Sequence, residues 1–276
     1  MQLPSAANPK RLPFIELQSV DSTNKYAMNL LRAASLPDRQ DIALHGLSVF
    51  SHEQTSGKGQ RGKQWSSEKG SNIALSIIIN PFPLTLSEQF RLSVCAAVSV
   101  HEFFSALAGE ETKIKWPNDL YWRDRKAGGV LIENVIGEQN SETGSRKPEL
   151  WKWAIIGVGI NINQTIFPVD LPNPVSLKQI TGKDFVPVDL AKKLCSIFFS
   201  NFQLLVDGKF EQLFYQYQTH LYKKEMTVKL KKSNRVFEAT IKGVSQTGQL
   251  ITQHTEEERF DFGEVEWVIQ PNEPKK

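Results

Sequence analysis

Four strand-like pieces stand almost back to back between residues 113 and 159, and they constrain the fold more than any other feature of the chain. Segments 113–116, 119–122, 129–136 and 151–159 are rich in β-branched and aromatic residues. Their connectors are Pro117-Asn118, the stretch 123–128, and a polar tip over 137–148 that reads as a hairpin end. Parallel neighbours need a crossover of about a dozen residues or more, usually a helix. Hairpin-like neighbours therefore dominate, and the strands do not alternate with helices as βαβα. The expected class is α+β: a mostly antiparallel mixed sheet with helices packed on one face, rather than a doubly wound sheet.

The flanking segments fit that reading. Ser22-Thr23-Asn24 supplies helix N-cap chemistry ahead of Tyr26, Ala27, Leu30 and Leu31 at helical spacing. Strands are expected at 44–51 and 72–80, with a polar glycine-rich loop at 54–70 between them. A long helix is expected at 87–108, and two more at 190–206 and 210–221. From Lys224 the pattern changes to five short segments broken by turn residues, which predicts a small SH3-like barrel. The expected domains are 1–223 and 224–276.

Composition bounds the function. Of 276 residues, 40% are hydrophobic and 23% charged, so the chain can bury a core. A net charge of +3 is too weak to argue for nucleic acid. Cys95 and Cys195 lie far apart, and no CxxC occurs, which fits a reducing compartment. The histidines show no metal-ligand spacing, so no metal held directly by protein ligands is expected. The first 13 residues carry no apolar signal-peptide core, and no apolar run approaches the roughly 18 residues of a membrane span. A cytoplasmic protein is expected.

Gly57-Lys58-Gly59-Gln60-Arg61-Gly62-Lys63 fits two phosphate-loop patterns by letter. Both the dinucleotide fingerprint and the P-loop require a helix directly after the loop. Here a strand follows instead, and Gln64 occupies the place of the P-loop hydroxyl. A kinase loop lies between strands, but the strand after it carries no lysine and no HRD or DFG follows. What survives is the physics: glycines let the backbone approach an anion closely, and Lys58, Arg61 and Lys63 add charge.

Four other segments carry chemistry. Lys115-Trp116-Pro117-Asn118-Asp119 puts a lysine, an amide and a carboxylate at a proline-fixed bend. Lys126-Ala127-Gly128-Gly129 places a lysine beside glycines at a strand mouth. Gly157-Val158-Gly159-Ile160-Asn161-Ile162-Asn163 ends an apolar strand, where glycines allow close approach. Ser22-Thr23-Asn24 offers hydroxyls and an amide at a helix start. Each alone has an ordinary structural explanation: a solvated loop, a surface turn, an exposed lysine, a bulge or a cap.

In this order, however, these motifs resemble the biotin–protein ligase family over residues 14–269. The resemblance implies a class II synthetase-like catalytic fold and ATP-dependent biotinylation through biotinyl-5′-AMP, with ATP, Mg²⁺ and biotin as small molecules. It implies a biotin carboxyl carrier domain as partner. The family roles place Ser22, Thr23, Asn24, Gln54, Lys58, Gly59, Gln60 and Lys126 on biotin. They place Gly57, Arg61, Trp65, Asn118, Asp119, Gly128, Asn161 and Asn163 on the nucleotide side. Lys126, Lys115, Asp119 and Arg61 are the implied catalytic set. Lys58, Gln60 and Lys63 stand where the family's commonest loop has arginine, so a weaker grip on the adenylate is expected. Only about 13 residues precede Phe14, so a monofunctional type without an N-terminal DNA-binding domain, and no sequence-specific DNA binding, is expected. The residues leave monomer or homodimer open. A lipoate or octanoate ligase or transferase of the same superfamily is the alternative enzyme, though the Arg-Arg pair and Gly triplet typical of that group are missing. A non-catalytic biotin- or nucleic-acid-binding module is the alternative class.

Overall fold

Two isoleucine-rich strands form the centre of the molecule. In the computed structural model, which describes residues 13–34, 44–137, 150–169 and 171–268, β5 (Asn72–Ile79) pairs antiparallel with β9 (Leu150–Asn161) along its whole length. Both strands are buried from two sides, which is why they read as near-continuous apolar runs rather than alternating ones. Around them run β1 (Phe14–Leu17), β2 (Ser48–Ser51), β6 (Thr112–Lys115), β7 (Asp119–Trp122) and β8 (Arg125–Gly137), in the order β1-β2-β5-β9-β8-β7-β6. Every pairing in this sheet is antiparallel except β1 with β2, so it is mixed and mostly antiparallel, as expected. The expected hairpin tip lies, beyond Gly137, outside the described residues.

Side-chain alternation sorts the helices. Ile73, Leu75, Ile77 and Ile79 of β5 face a large cluster shared with α2 (Gln89–Ala108), α4 (Pro187–Val206) and α5 (Phe210–Thr219). Fully burying each such side chain contributes roughly 1.5–3 kcal/mol. Ile78 and Ile155 point the other way, into a smaller cluster with Ala27 and Leu31 of α1 (Thr23–Ala34). The expectation that helices cover one face is therefore corrected. Helix α1 packs on the opposite face from α2 and α4 because its apolar stripe meets the odd residues out of the period-two pattern. A short α3 (Leu177–Thr181), unforeseen in the sequence, is capped by Ser176 and Gln179.

The segment Leu86–Ala108 has the length and apolarity of a membrane span, at 23 residues with mean hydropathy 1.3, but 61% of its apolar window is buried inside the fold. It is the core helix. Cys95 and Cys195 are both buried and unbridged.

The five C-terminal strands are present: β10 (Thr227–Lys232), β11 (Arg235–Val244), β12 (Leu250–Gln253), β13 (Glu257–Phe260) and β14 (Glu266–Trp267), in the order β13-β12-β11-β10-β14. They form an open antiparallel sheet. No ladder joins β13 to β14 among the described residues, so the expected closed barrel is not what the pairing shows. The last strand is too short to close it: only Leu230↔Trp267 and Lys231↔Glu266 pair there. Leu230, Ile241, Leu250 and Phe260 belong to the same apolar cluster as the main sheet. The Trp116 indole donates to the Gly248 carbonyl at 2.9 Å, tying the C-terminal sheet to the β6–β7 corner.

Candidate active site

Three glycines on one face of the sheet set out the site. On β9, Gly157 and Gly159 point to the α1 side, and Gly129 of β8 lies directly across from Gly159. A Cβ on Gly157 would stand 2.4 Å from Asn24 Oδ1. One on Gly159 would stand 2.6 Å from the Trp65 ring, and one on Gly129 would stand 2.8 Å from Asp119 Oδ1. Each glycine is the seat of a functional side chain, and a methyl group would unseat it.

Over Gly157 lies a fixed polar floor at the start of α1. Ser22, Thr23 and Asn24 are 3%, 3% and 4% exposed. Gln54 Oε1 accepts from the Thr23 backbone N–H at 2.8 Å and from its hydroxyl at 3.1 Å. The fully buried Ser76 hydroxyl lies 2.7 Å from Thr23 Oγ1 and 2.6 Å from Asn24 Oδ1. Asn24 Nδ2 donates to Glu133 Oε2 at 2.7 Å. Ser76 and Glu133 were missed in the sequence; their only local signal is a position on the site face of β5 and β8, which cannot be recognised until those faces are known.

Over Gly159 lies the indole of Trp65, in β4 (Gln64–Trp65). This strand pairs with β3 (Gly57–Lys58), so the glycine-rich loop is a small hairpin. Gly57 is required there, since a Cβ would meet the Trp65 carbonyl at 2.4 Å. The Trp65 Nε1 is enclosed and has no acceptor among the described residues. An enclosed donor left unmet costs about 1–3 kcal/mol, which a ligand acceptor would offset.

Over Gly129 sits the ion pair of Lys126 Nζ and Asp119 Oδ1, at 2.7 Å. Lys126 is the second residue of β8, at the strand's opening. Its backbone N–H donates to the Asn173 carbonyl and its carbonyl accepts from Val175, which holds the residue from its far side. Gln60 Nε2 donates to Asn118 Oδ1 at 2.6 Å and to the Val130 carbonyl at 3.0 Å, linking the loop to the β6–β7 corner. The Trp116–Pro117 peptide in that corner is cis.

Lys115 closes the site from the C-terminal side. Its Nζ donates to Tyr121 OH at 3.3 Å and stands 4.9 Å and 5.5 Å from the ring centroids of Tyr121 and Trp267. Enclosure pushes its pKa from the usual 10.5 down to about 8; Asp119 opposes the shift, and the charges of Lys126 and Lys63 add to it. The unfolded chain therefore holds this proton up to a higher pH than the folded one does. Stability on this account is greatest above 10.5, where both states are neutral, and is lost as pH falls through 8. Replacing Lys115 by Met is expected to stabilise the fold more at pH 7 than at pH 9.5, read as the difference in urea midpoint from the wild type. An unchanging difference would show that folding does not lower the Lys115 pKa.

Other expected residues fall outside this line. Arg61 adopts φ 56 and ψ 38, donates weakly to the Gly263 carbonyl at 3.3 Å and lies over the Phe262 ring, so it faces the C-terminal sheet. Gly128 points to the opposite face, where a Cβ would meet the Gly159 carbonyl at 2.5 Å; its role is close strand packing. Asn161 donates to the Val175 carbonyl and Asn163 to the Phe185 carbonyl, so both amides brace the segments leading to α3 and α4 instead of opening to the cleft. Asn163 also lies beyond the strand end, where period-two alternation no longer applies. Lys58 and Lys63 are exposed on the hairpin, and Gly59 is half-buried within it.

Residues 17–145 match the model of the biotin/lipoate A/B protein ligase family. Among curated proteins, the chain is 35% identical over 144 residues to the bifunctional ligase/repressor BirA of Bacillus spizizenii, covering 51% of this chain and 41% of that protein. It is 27% identical over 189 residues to the biotin–[acetyl-CoA-carboxylase] ligase of Paracoccus denitrificans, covering 66% and 70%. The chain thus spans about two fifths of the length of the BirA relatives it matches. Among solved structures, the biotin protein ligase of Aquifex aeolicus in complex with biotin and ATP superposes with TM-score 0.73 at 23% identity, covering 94% of this chain and 99% of that one. At that identity the match speaks for the fold, and it extends past residue 145 into the C-terminal sheet.

Proposed function

We propose that the protein is a biotin–protein ligase: it joins biotin to ATP as biotinyl-5′-AMP, releasing pyrophosphate, and then passes the biotinyl group to a lysine of a biotin carboxyl carrier domain, releasing AMP. The observation that carries this reading is the line of three seats on one sheet face. From Gly157 to Gly159 is one period-two step, roughly 7 Å along the strand, and from Gly159 to Gly129 is about 5 Å across the ladder. A hydrogen-bonding floor is thus followed, within the length of a short acyl chain, by an aromatic platform and then a cation. Biotin matches this order, with a ureido ring at one end and a carboxylate at the other. The relatives carrying the same activity in their names support the reading.

In this reading Ser22, Thr23, Asn24 and Gln54 bind the ring. Lys126 neutralises the carboxylate and the developing charge on the α-phosphate. Lys58 and Gly59 approach the same anions, and Trp65 Nε1 gains a phosphate or carboxylate acceptor. Asp119 holds Lys126 in place and orients the incoming carrier lysine. Lys115 and Asn118 border the nucleotide. Arg61 reaches it only by leaving Gly263. No group of three metal-ligating side chains occurs among the described residues, so Mg²⁺ would enter carried by the polyphosphate. We assign the chemistry to residues 1–223 and read residues 224–276 as an SH3-like cap on the nucleotide end. A cytoplasmic location accords with the free buried cysteines.

Lipoate or octanoate would leave the polar floor facing an apolar chain end. Hydrogen-bonding sites reject such ligands strongly. The test is pyrophosphate release from MgATP with biotin, lipoate, octanoate or no acid. Release that depends on biotin supports the proposal; release with lipoate or octanoate alone assigns the sister activity, and release with no acid ends the ligase reading.

Gln60 allows a second test. It offers neutral donors where the family's loops commonly carry arginine, and both observed bonds use its Nε2. Gln60→Arg is expected to slow escape of the adenylate by about tenfold or more, since bonds to charged groups are worth about 1.5–3 kcal/mol. Adenylate escaping at the wild-type rate in a filter-release assay would count against a loosened loop.

A further inference from the structure

We infer that Glu133 is a positioning residue for acid recognition: it fixes which way the Asn24 amide faces, and so which atoms the floor offers a ring. This deepens the proposed function and rests on it. Asn24 stands between two partners of opposite character. Its Oδ1 accepts from Ser76 Oγ at 2.6 Å, and its Nδ2 donates to Glu133 Oε2 at 2.7 Å. A carboxylate accepts only, so the amide cannot flip without setting Oδ1 against Oε2. Gln54 is fixed in the same way, because its Oε1 is taken by two donors from Thr23. The donors left over are the second hydrogen on Asn24 Nδ2 and the Gln54 Nε2 group. Glu133 Oε1 remains as an acceptor. A floor with donors left over beside an acceptor is complementary to a carbonyl flanked by N–H groups, as in a cyclic urea, and to no alkyl or disulfide ring.

The placement is built into the sheet. Glu133 pairs with Ile155 in the β8–β9 ladder, and Ile155 lies in the cluster under α1, so the carboxylate stands on the α1 face by register. Gly157 stands two residues farther along β9 and has no side chain to displace Asn24. Glu133 is half-buried and is 109 residues from Asn24 in sequence. It therefore acts on the ligand through Asn24.

The test is a double-mutant cycle on Glu133 and Asn24, read as KM for the acid and KM for ATP in pyrophosphate release, with thermal midpoints taken in parallel. Glu133→Ala is expected to raise biotin KM by tenfold or more while ATP KM stays within twofold. Glu133→Gln, whose Oε1 still accepts from Asn24, is expected to recover most of that loss. The Glu133→Ala/Asn24→Ala pair should be little worse than either single change. Independent, multiplying effects, or equal rises in both KM values, would overturn the inference and leave Glu133 a structural residue. If the wild type uses lipoate or octanoate, the proposed function fails on its own, and the urea-reading role of Glu133 fails with it. If the wild type uses biotin and Glu133→Ala changes nothing, only this inference fails.

Discussion

Replacing Lys126 by alanine is expected to lower biotin-dependent pyrophosphate release by a factor on the order of 10²–10³, with the thermal midpoint nearly unchanged. The fold does not depend on its charge: Lys126 and Asp119 are 37% and 25% exposed in their side chains, and such ion pairs contribute little to stability. Chemistry does depend on it. Two anions, a carboxylate and a triphosphate, must be brought together, and removing one preorganised donor from such a site typically costs 10²–10³ in rate. The loss is doubled in kind, because Asp119 is left without its partner and facing the incoming anions. Lys126→Arg should retain more activity than Lys126→Ala, though its planar fork does not reproduce a point charge over Gly129. Asp119→Asn separates the roles, sparing adenylation more than transfer to the carrier. Single-turnover measurements at saturating ATP and biotin decide the matter. Activity of Lys126→Ala within about threefold of the wild type would remove Lys126 from the chemistry.

Gly128→Ala is expected to be the most damaging small substitution in the central sheet. The added methyl would meet the Gly159 carbonyl at 2.5 Å and the Ile160 Cα at 3.2 Å. These are backbone atoms of the middle strand, held by ladders on both sides, so neither can swing away. Overpacking of this kind typically costs about 1–3 kcal/mol. Any relief by strand separation would move Gly129 and Lys126 off the Asp119 register, so activity should fall further than stability alone predicts. Gly109→Ala is the control. Its φ is +85 and nothing lies within 4 Å of the added atom, so only backbone strain resists, at about 1 kcal/mol. Urea midpoints and specific activity of the refolded fraction give the comparison. A Gly128→Ala protein as stable as Gly109→Ala would mean that the two strands part more easily than their pairing implies.

The two substitutions show how differently the parts of this protein are encoded. Signals that act within a few residues were legible. The helix start beside Ser22-Thr23-Asn24, the apolar runs of β5 and β9, the proline bend at Pro117 and the five C-terminal strands all follow from local propensity and patterning, and the structure places each near its expected bounds. Even there, short elements escaped. The strand β1 has four residues and gains its only ladder from β2, more than thirty positions away, and α3 has only five residues. The open edge of the C-terminal sheet likewise depends on how β14 meets β10.

Most of the candidate site could be named but not arranged. Thr23, Asn24, Gln54, Trp65, Asp119 and Lys126 were visible as chemistry-bearing residues in ordered motifs. Their meeting on one face depends on the β5–β9 register that sets Ser76 opposite Gly157, and on the β8–β9 register that sets Gly129 opposite Gly159. A shift of one residue would turn the site-face residues of the slipped strand to the core side. Tertiary contacts also decided what motif order could not: that Glu133 shares the face of Asn24, that Gly128 serves packing, that Asn163 braces a loop, and that Arg61 leans on Gly263. The sequence by itself determined which residues could do chemistry and which stretches would be helix or strand, because those depend on forces between near neighbours. Which face of the sheet became the site, and which side chains share it, was decided by pairings between segments up to a hundred residues apart, which no local pattern contains.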